Sequence, residues 1–575
     1  MTQNTDAPIR FTINGRELSA SPGETVLQAA KRNGIEIPAL CNHPDLPPSG
    51  TCGLCIVEIG GQDEPQRSCL TAVSEGMSVT TESEDLTNRR RIAIQKILDR
   101  HALECPDCVF FQKCELLRLS GKLQGKPTTV PEPGTEVIRC GPIVFDQTKC
   151  IGCGNCVAAC PTGFLEIGAD GRVKPTDDPT RDCTGCGQCI MHCPVGAIES
   201  VGEFEDIDGI LDDSGKVNVV QFAPAVRSAI GEEFGLPPGS VMTGQVTAAL
   251  KAIGFSHVFD TAAAADITTI EEAEELLGRL SSGQRLPGMT SCCPAWVKFV
   301  EFNYPEFVPN LCTARSPQIM LGGVIKSVWG KSRGIDPHRI NMVSVMPCTA
   351  KKHEVTRPEL AIDGWYPVDR VITVRELARL MKKRKLDLTK IDPMEPDDPF
   401  GIPSGAGVIY GSSGGVFESA LRTAYFKALG SEMPPDAVRE LRGQEGVKNT
   451  EMRIGDRTVR IRVVSGLRNA KDALEELKAD PKAFDALEVM ACPGGCVGGG
   501  GQPVPSDAET IERRAASLYE IDRGSENRQA HRNPAVMALY ENGLSDAAER
   551  HRLLHTSYQK SERTPTKKIA DSRSS

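Results

Sequence analysis

The residues best suited to chemistry in this chain of 575 residues are its 22 cysteines. Nineteen of them fall into five groups, with spacings typical of metal ligands. The first residues, MTQNTDAPIR, show no export signal, and no apolar run approaches the roughly 18 residues that a membrane-spanning helix needs. We therefore expect a soluble, cytoplasmic protein whose thiols stay reduced and bind metal.

Two repeats between residues 150 and 194, CIGCGNCVAACP and CTGCGQCIMHCP, carry the strongest local signal. Each has the spacing C-x2-C-x2-C-x3-C-P of bacterial ferredoxins with two 4Fe-4S clusters, in which the fourth cysteine binds the cluster of the other repeat. The spacing therefore predicts two cluster sites with crossed ligands. The first would take Cys150, Cys153, Cys156 and Cys193, and the second Cys183, Cys186, Cys189 and Cys160.

A group near the N-terminus combines two close cysteines with two distant ones: Cys41, Cys52, Cys55 and Cys69. This arrangement suits a 2Fe-2S cluster held by a loop, as in plant-type ferredoxins, although their first gap is shorter. Two predicted strands joined at Asn14-Gly15, and a helix after them, give the segment a β-grasp pattern. That pattern favours a 2Fe-2S cluster over the alternative, a structural zinc ion.

One histidine and three cysteines lie at and beyond the end of a predicted helix at residues 85–103: His101, Cys105, Cys108 and Cys114. Alone, this set could bind zinc or an iron-sulfur cluster, and a histidine at a helix end is more often a cap or a core residue. Its place between two other iron-sulfur segments favours a 4Fe-4S cluster.

Three more cysteine-bearing stretches lie further along the chain. MTSCCP precedes the helical pattern AWVKFVEF, INMVSVMPC ends at Cys348, and FDALEVMACPGGC ends at Cys496. In open α/β sheets, sites form beyond the carboxyl ends of the strands, so we expect these stretches to meet at one crevice. The adjacent pair Cys292 and Cys293 leaves open which of the two binds metal.

Several domains must hold these groups, because the chain exceeds the size of one hydrophobic core. After residue 210, helix and strand patterns alternate, which predicts an α/β fold with parallel strands. Four clusters in series would form a wire for electrons, and the long segment that follows argues against a simple electron carrier. The net charge of -10 and the absence of a basic stripe argue against nucleic acid as a partner.

The stretches TSCCPAW, MPCTAKKHE and EVMACPGGCVGGGGQP resemble the three signatures of FeFe hydrogenases. The upstream cluster patterns resemble the accessory domains of the large monomeric members, so the resemblance covers essentially the whole chain. It implies reversible reduction of protons to H2 at an H-cluster, a 4Fe-4S cubane joined to a two-iron unit that carries CO, cyanide and azadithiolate. One 2Fe-2S cluster and three accessory 4Fe-4S clusters complete the expected cofactors.

With the resemblance, the expected fold class is multidomain α/β and α+β. It comprises a β-grasp 2Fe-2S ferredoxin, a small His/Cys cluster domain, a two-cluster bacterial ferredoxin domain and a two-lobed α/β H-cluster domain. A small-subunit-like segment and a disordered tail would follow. The expected boundaries are 1–85, 86–136, 137–210, 211–510, 511–560 and 561–575.

The resemblance also implies different roles for the adjacent cysteines Cys292 and Cys293. Cys293, Cys348, Cys492 and Cys496 would hold the cubane, and Cys496 would bridge to the two-iron unit. Cys292 would not be a ligand, and its thiol would pass protons. A thiol suits this task because its pKa of about 8.5 is lowered near positive or metal centres.

Glu272, Glu275 and Arg279 match the proton relay of the family. From the sequence alone they would read as the solvated face of a helix, on which positions i and i+3 are neighbours. Cys312 stands where the relay has a serine. Because a thiol is the weaker hydrogen-bonding partner, this departure puts relay efficiency in question, and Thr313 or water could compensate.

Lys351 matches a lysine that binds one cyanide. Other positions that would line the two-iron unit are Pro224, Ala225, Gln318, Met346 and Met490. Ala225 replaces a serine of some members, and core packing would suffice to explain the methionines. Cys140 lies outside every cluster and is interpreted as a packed thiol.

The expected electron partner is ferredoxin, or a NAD(P)- or flavin-binding partner subunit, because the chain carries no nucleotide motif of its own. Maturases would build the two-iron unit, and neither nucleic acid nor a membrane is an expected partner. One alternative is the catalytic subunit of a multimeric NAD(P)-linked or electron-bifurcating hydrogenase. Another is a Nar1-like iron-sulfur assembly protein without H2 chemistry, against which the doubled cysteine argues.

Overall fold

A computed structural model describes residues 7–105, 108, 110 and 113–569 of the chain. The N-terminal strands form a five-stranded sheet of order β2-β1-β5-β3-β4 with one helix packed on it, which confirms the β-grasp prediction. Its elements are β1 Ile9–Ile13, β2 Arg16–Ala20, α1 Val26–Arg32, β3 Ile56–Ile59, β4 Gln66–Arg67 and β5 Ser78–Thr80. Asn14 and Gly15 both have positive φ, as the tight turn between β1 and β2 requires.

The next two modules are small, and loops make up much of each. Their elements are α2 Glu84–Leu98, α3 Glu115–Lys122, β6 Val137–Cys140, β7 Ile143–Asp146, α4 Asn155–Ala159, β8 Leu165–Ile167, β9 Val173–Pro175, α5 Gln188–Met191 and β10 Ile198–Ser200. The short helices α4 and α5 each follow a glycine of positive φ, Gly154 and Gly187, within the cysteine repeats. The two repeats therefore fold alike.

The large module contains two sheets, one for each lobe, and confirms the α/β prediction. Its elements are α6 Ile207–Asp212, β11 Val217–Phe222, α7 Pro224–Arg227, α8 Thr243–Ile253, β12 His257–Asp260, α9 Thr261–Ser282, β13 Gly288–Met289, α10 Pro294–Asn303, α11 Pro317–Val324, α12 Gly330–Ser332, β14 Ile340–Met346, α13 Ala350–Glu354, β15 Arg370–Thr373, α14 Val374–Lys383, α15 Gly405–Val408, α16 Gly415–Leu429, β16 Val447–Ile454, β17 Arg457–Ser465, α17 Leu467–Ala479 and β18 Ala486–Met490. The first sheet, of order β12-β11-β14-β15, is entirely parallel. In the second, of order β13-β18-β17-β16, only β16 is antiparallel.

The C-terminal segment forms α18 Ala508–Gly524, α19 Pro534–Asn542, α20 Ala547–Leu554 and β19 Thr566–Ile569. The prediction of a disordered tail at 561–575 is wrong for residues 561–569, and residues 570–575 lie outside the described part. Strand β19 pairs antiparallel with β6 of the dicluster module and completes a sheet of order β10-β7-β6-β19. Backbone pairing needs no apolar side chains, so the polar composition of the tail did not reveal this strand.

No helix in the described ranges is both long and apolar enough to cross a membrane.

Candidate active site and iron-sulfur sites

The three downstream cysteine stretches meet between the two lobes. Cys348 follows the end of β14 in one sheet, while Cys293 and Cys492 follow β13 and β18 in the other. Burial raises the pKa of Cys348, and the nearby Cys293 and Cys496 raise it further. Burial likewise raises the pKa of Cys492, with contributions from Cys348, Cys293 and Cys496. Cys293 and Cys348 also pack in one apolar cluster, so the four cysteines lie near one another between the lobes.

The glycine run after Cys496 is required by close backbone contacts. A Cβ atom on Gly499 would lie 2.3 Å from the carbonyl oxygen of Pro347, and one on Gly500 would lie 2.6 Å from the Cα of Gly187. At Gly501 it would meet Thr373 at 2.8 Å. Side chains at these positions would push the loop away from the segments that carry Cys348 and Cys186. The glycine run therefore allows the cysteine loops to lie in close contact.

The dicluster module touches this pocket directly. The Sγ of Cys492 lies 3.9 Å from the carbonyl oxygen of Cys186. The hydroxyl of Thr349, next to Cys348, donates to the carbonyl of Gly185 at 2.6 Å. The amide of Gln188 donates to the carbonyl of Gly498 at 3.1 Å. These contacts join the loops of the dicluster module to the loops of the large module that carry Cys348, Cys492 and Cys496.

Each ferredoxin repeat contributes three cysteines to one cavity and the fourth to the other. Cys150, Cys153, Cys156 and Cys193 surround the first cavity, and Cys160, Cys183, Cys186 and Cys189 the second. The ring of Phe145 lines both. Cys140 is fully buried on β6 beside Cys183, where its thiol raises the pKa of Cys183.

The cysteines of the β-grasp module lie together in its loop. The amide of Cys52 donates to the Sγ of Cys41 at 3.4 Å, and the sulfurs of Cys55 and Cys69 are 3.3 Å apart. The hydroxyl of Thr51 donates to the carbonyl of Cys153 at 3.3 Å, so this loop adjoins the first dicluster cavity.

His101 faces a cavity that it shares with Cys105, Cys108 and Cys114. Its Nδ1 lies 2.8 Å from the carbonyl oxygen of Lys149, which leaves Nε2 as the nitrogen available to the cavity. Lys149 immediately precedes Cys150, so this site also adjoins the first dicluster cavity. The sequence suggested that the four clusters lie in one series. The structure differs, because the β-grasp site and the His/Cys site both adjoin the first dicluster cavity.

Within the described ranges, no three His, Cys, Asp or Glu side chains converge closely enough to hold a single metal ion.

Glu272 forms the inner part of the acidic pair on α9. Its Oε2 accepts a hydrogen bond from the Tyr410 hydroxyl at 3.2 Å, and its buried Oε1 has no partner among the described residues. Burial raises its pKa to about 8, against the opposing effect of Tyr410. Thr269 donates to the same tyrosine oxygen at 2.9 Å. The Glu272 carboxyl is thus protonated at neutral pH, and Tyr410 holds only its Oε2.

Glu275 forms the outer part and is held by several donors. Its Oε1 pairs with Arg279, and its Oε2 accepts from the Cys312 thiol at 3.2 Å. The same oxygen accepts from the amide and hydroxyl of Thr313 at 2.9 and 2.7 Å. Although burial opposes it, Arg279 and these donors lower the pKa of Glu275. The environments therefore separate the two carboxyl groups into an acid and a base.

A small cavity lies between the two glutamates. It is lined by Glu272, Glu275, Arg279 and Cys312 and measures about 20 Å³, enough for one water molecule. Burial raises the pKa of Cys312 well above its usual value, so its thiol keeps its proton. The helix face expected to be solvated is therefore largely enclosed.

Cys292 lies beside the pocket, packed against Tyr410 and Met490. Burial and then the nearby Glu272 raise the pKa of its thiol well above the usual value. Burial and Glu272 therefore raise the pKa of Cys292, whereas a nearby metal centre is expected to lower it. Its carbonyl oxygen accepts a hydrogen bond from the Lys351 ammonium at 3.0 Å.

Glu354 organises this side of the pocket, although sequence analysis assigned no role to it. Its Oε2 accepts from Lys351 at 2.9 Å, from Gln318 at 2.5 Å and from Ser316 at 3.0 Å. Although burial opposes it, Glu354 raises the pKa of Lys351, which stays charged. Tyr410 is the second residue without an assigned role. Glu354 ends the stretch MPCTAKKHE, and one of its partners, Lys351, lies only three residues before it, whereas Tyr410 lies outside the three signatures and meets Glu272 across 138 residues.

The remaining expected lining residues fall in different surroundings. Ala225, after Pro224 at the start of α7, is fully buried in a small cluster against Cys496. Met490 packs against Cys292, whereas Met346 belongs to the large apolar core of the first lobe. Packing therefore accounts for Met346. The Oε1 of Gln318 is buried with no partner among the described residues.

Comparison with known proteins agrees with this architecture. Residues 216–500 match the family described as iron only hydrogenase large subunit, C-terminal domain, and residues 508–561 match iron hydrogenase small subunit. Residues 6–84 match a 2Fe-2S iron-sulfur cluster binding domain, and residues 149–197 a 4Fe-4S dicluster domain.

Two curated relatives align along nearly their whole length. An NADP-reducing hydrogenase subunit of Solidesulfovibrio fructosivorans is 39% identical, over 96% of this chain and 99% of its own. Iron hydrogenase 1 of Clostridium pasteurianum is 36% identical, over 95% and 99%. A solved apo FeFe-hydrogenase of Chlamydomonas reinhardtii is 37% identical with a TM-score of 0.56, and covers 62% of this chain and 98% of its own.

The chain combines a two-lobed α/β domain, which has a cysteine-lined crevice, with 2Fe-2S and 4Fe-4S domains. This combination defines an iron-sulfur oxidoreductase. The chain belongs to the FeFe hydrogenases. It is an enzyme acting on H2, whose iron-sulfur domains relay electrons to an H-cluster domain.

Proposed function

We propose that the crevice holds a complete H-cluster and that the enzyme interconverts H2 with protons and electrons there. Cys293, Cys348, Cys492 and Cys496 would bind the cubane, with the Cys496 sulfur shared with the two-iron unit. When bound, the cluster supplies the metal site and the redox equivalents for H2 formation and cleavage, with CO, cyanide and azadithiolate on the two irons. The observation that carries the proposal is the meeting of these four sulfurs, from three strand ends, beside a fifth that belongs to Cys292.

The accessory cofactors are proposed to be one 2Fe-2S cluster and three 4Fe-4S clusters. Support comes from the grouping of ligands, because three of the sets line separate cavities and the cysteines of the fourth lie together in the β-grasp loop. For the His/Cys site, His101 would bind through Nε2, since Nδ1 is engaged by the Lys149 carbonyl. Electrons from either N-terminal site would reach the first dicluster cavity, then the second, and leave it where Cys186 approaches Cys492.

The proposed proton path runs from the Cys292 sulfur outward. Its thiol and the Glu272 carboxyl both hold a proton at neutral pH, while Glu275 is ionised and able to accept one. The Cys312 thiol and the water-sized cavity would bridge the glutamates. Arg279 would keep Glu275 charged at the outer end.

Lys351 is proposed to orient the inner residues and to offer N-H donors to cyanide. Its ammonium has three hydrogens, of which the Cys292 carbonyl and Glu354 take two. The third is free to point into the pocket. The burial of this charge is supported by Glu354, without which a lone ammonium would be costly.

The test uses protein produced together with maturases for the two-iron unit. Infrared bands of metal-bound CO and cyanide, and H2 evolution from reduced viologen, are the expected results. Protein that shows the bands of a loaded site but evolves and consumes no H2 would refute the proposed activity. A Cys348→Ser variant that retained those bands would refute the ligand assignment.

For the physiological electron partner, ferredoxin is one candidate and a NAD(P)-linked partner subunit the other. Similarity along the whole chain to an NADP-reducing hydrogenase subunit favours the second. Purification from the native source, followed by an assay of H2-dependent NADP+ reduction, separates them. Copurifying flavin-containing subunits with this activity would support a complex, whereas a single chain that reduces only ferredoxin would support the first.

A further inference from the structure

The outer end of the proton path opens into a surface cleft of about 590 Å³ between α9 and the C-terminal segment. Its walls include Glu271, Glu275, Arg279, Thr313, Arg550 and His555. The backbone of His555 is fixed by a bridge to Ala314 and by a hydrogen bond from Arg315 to its carbonyl at 2.8 Å. The ring is therefore held in place, with only 15% of its side chain exposed.

An unbroken hydrogen-bonded chain connects this ring with Glu275. The Thr313 hydroxyl lies 2.7 Å from the Oε2 of Glu275 and 2.9 Å from the Nδ1 of His555. On its other side, the Nε2 of His555 lies 2.9 Å from the Oε2 of Glu271. All three distances are short enough for proton transfer between heteroatoms.

Counting the hydrogens defines two states of this chain. Arg550 and Tyr540 also donate to Glu271, and together with His555 they keep that carboxylate ionised although burial opposes it. The Nε2 of His555 must therefore carry a hydrogen. If the Thr313 hydroxyl donates to Glu275, then Nδ1 must also carry one, and the ring is an imidazolium. If the hydroxyl turns to donate to Nδ1, the ring is neutral.

We infer that His555 is a second proton donor to the relay, acting through the Thr313 hydroxyl, so that the C-terminal segment takes part in proton transfer. One proton leaves Nδ1 for the Thr313 oxygen, the Thr313 hydrogen moves to the Oε2 of Glu275, and Thr313 remains neutral. His555 then recovers a proton from water in the cleft. In the direction of H2 oxidation the same steps run in reverse. This inference rests on the proposed proton path.

Histidine suits this position because its charge changes near neutral pH. The charged and titratable groups that line the cleft with the ring are Glu271, Glu274, Glu275 and Arg279 of α9, Arg285 in the loop after it, and Arg550 and His551 of α20.

The test compares His555→Gln with His551→Gln in loaded full-length enzyme. Glutamine can still bridge Thr313 and Glu271 but releases no proton. We expect H2 evolution at neutral pH to fall about tenfold in His555→Gln, with infrared bands and the KM for the electron donor unchanged. Added imidazole should restore part of the rate. His551 stacks on His555 at 5.2 Å and accepts a hydrogen bond from its backbone amide, but the His551 side chain makes no hydrogen bond to the relay among the described residues, so its variant should match the wild type.

Thr313→Val provides the second test if His555→Gln does not load its clusters. It should cause a similar loss, and the double variant should be no slower than either single one, since both cut the same chain. Wild-type rates from pH 5 to pH 9 in both single variants would overturn the inference, as would equal losses in His551→Gln and His555→Gln. Inactivity of the loaded wild-type enzyme would instead refute the proposed function itself.

Discussion

The sulfur of Cys492 lies 3.9 Å from the backbone oxygen of Cys186, so the catalytic pocket and the second dicluster cavity share a wall. Cys186 and Cys492 come from different modules, and the contact fixes how closely two clusters can approach. The proposed proton path would reach the pocket through Cys292. Electrons and protons would therefore arrive by separate routes at neighbouring cysteines.

Replacing Cys292 with serine should reduce turnover at least about 100-fold, because a hydroxyl releases its proton far less readily than a thiol. The infrared and iron-sulfur spectra should stay nearly intact. Cys293→Ser is the matched comparison, and it should lose the cubane spectrum. Loss of the cluster spectra in Cys292→Ser would show that Cys292 is a ligand.

Cys312→Ser should raise the rate of H2 evolution about twofold, as expected from ~0.5 kcal/mol of better hydrogen bonding. The serine hydroxyl would replace the thiol that donates to Glu275. Rates are compared after normalisation to the infrared bands of the loaded site. Complete loss of activity in loaded Cys312→Ser would contradict a relay role for this position.

The pKa of about 8 at Glu272 predicts opposite pH profiles for the two directions. H2 evolution needs the protonated acid as donor, so its rate should fall as pH rises through 8. H2 oxidation needs the ionised form as acceptor, so its rate should rise over the same interval. Steady-state assays in both directions measure this. Identical profiles, or a transition near the ordinary pKa of glutamate, would rule out Glu272 as the controlling group.

Tyr410→Phe should move that transition upward by about one pH unit. The tyrosine hydroxyl donates to Glu272 and favours its ionised form, so its removal should raise the pKa of Glu272. Tyr519→Phe is the control, because the hydroxyl of Tyr519 is buried without a partner among the described residues. An unshifted profile in Tyr410→Phe would mean that this hydroxyl only packs.

Deletion of residues 561–575 should make the second dicluster site labile. Thr564 donates from its amide to Asp182 at 2.8 Å and from its hydroxyl to the Cys183 carbonyl at 3.2 Å, and β19 covers β6. Iron content and the rate of bleaching in air are the measurements. Lys567→Ala, which keeps the backbone of β19, should behave as the wild type. Equal stability of the deletion variant and the full chain would argue against this role.

Patterns that repeat at fixed spacing could be read from the sequence. The turn at Asn14-Gly15 and the strands before Cys348 and Cys492 are local features, so the expected elements agree with the structure. The expectation that those strands end at one crevice rested on the geometry of a single parallel sheet, whereas the structure places them in two sheets, one in each lobe.

Partners far apart in the chain could not be read in this way. Tyr410 meets Glu272 across 138 residues, and His555 meets Thr313 across 242. No spacing rule connects such pairs, since the first contact depends on how the chain between α15 and α16 packs on α9, and the second on how the C-terminal segment packs there. Glu354 shows a further limit, because its role depends on Lys351, Gln318 and Ser316 facing one oxygen.

The pairing of Val137–Cys140 with Thr566–Ile569 also has a consequence for biosynthesis. The ferredoxin modules emerge from the ribosome long before their last strand has been translated, and domains fold as they emerge. Metal insertion into the second repeat can therefore begin while one sheet edge is still open. Residues 566–569 close that edge only once they have been translated.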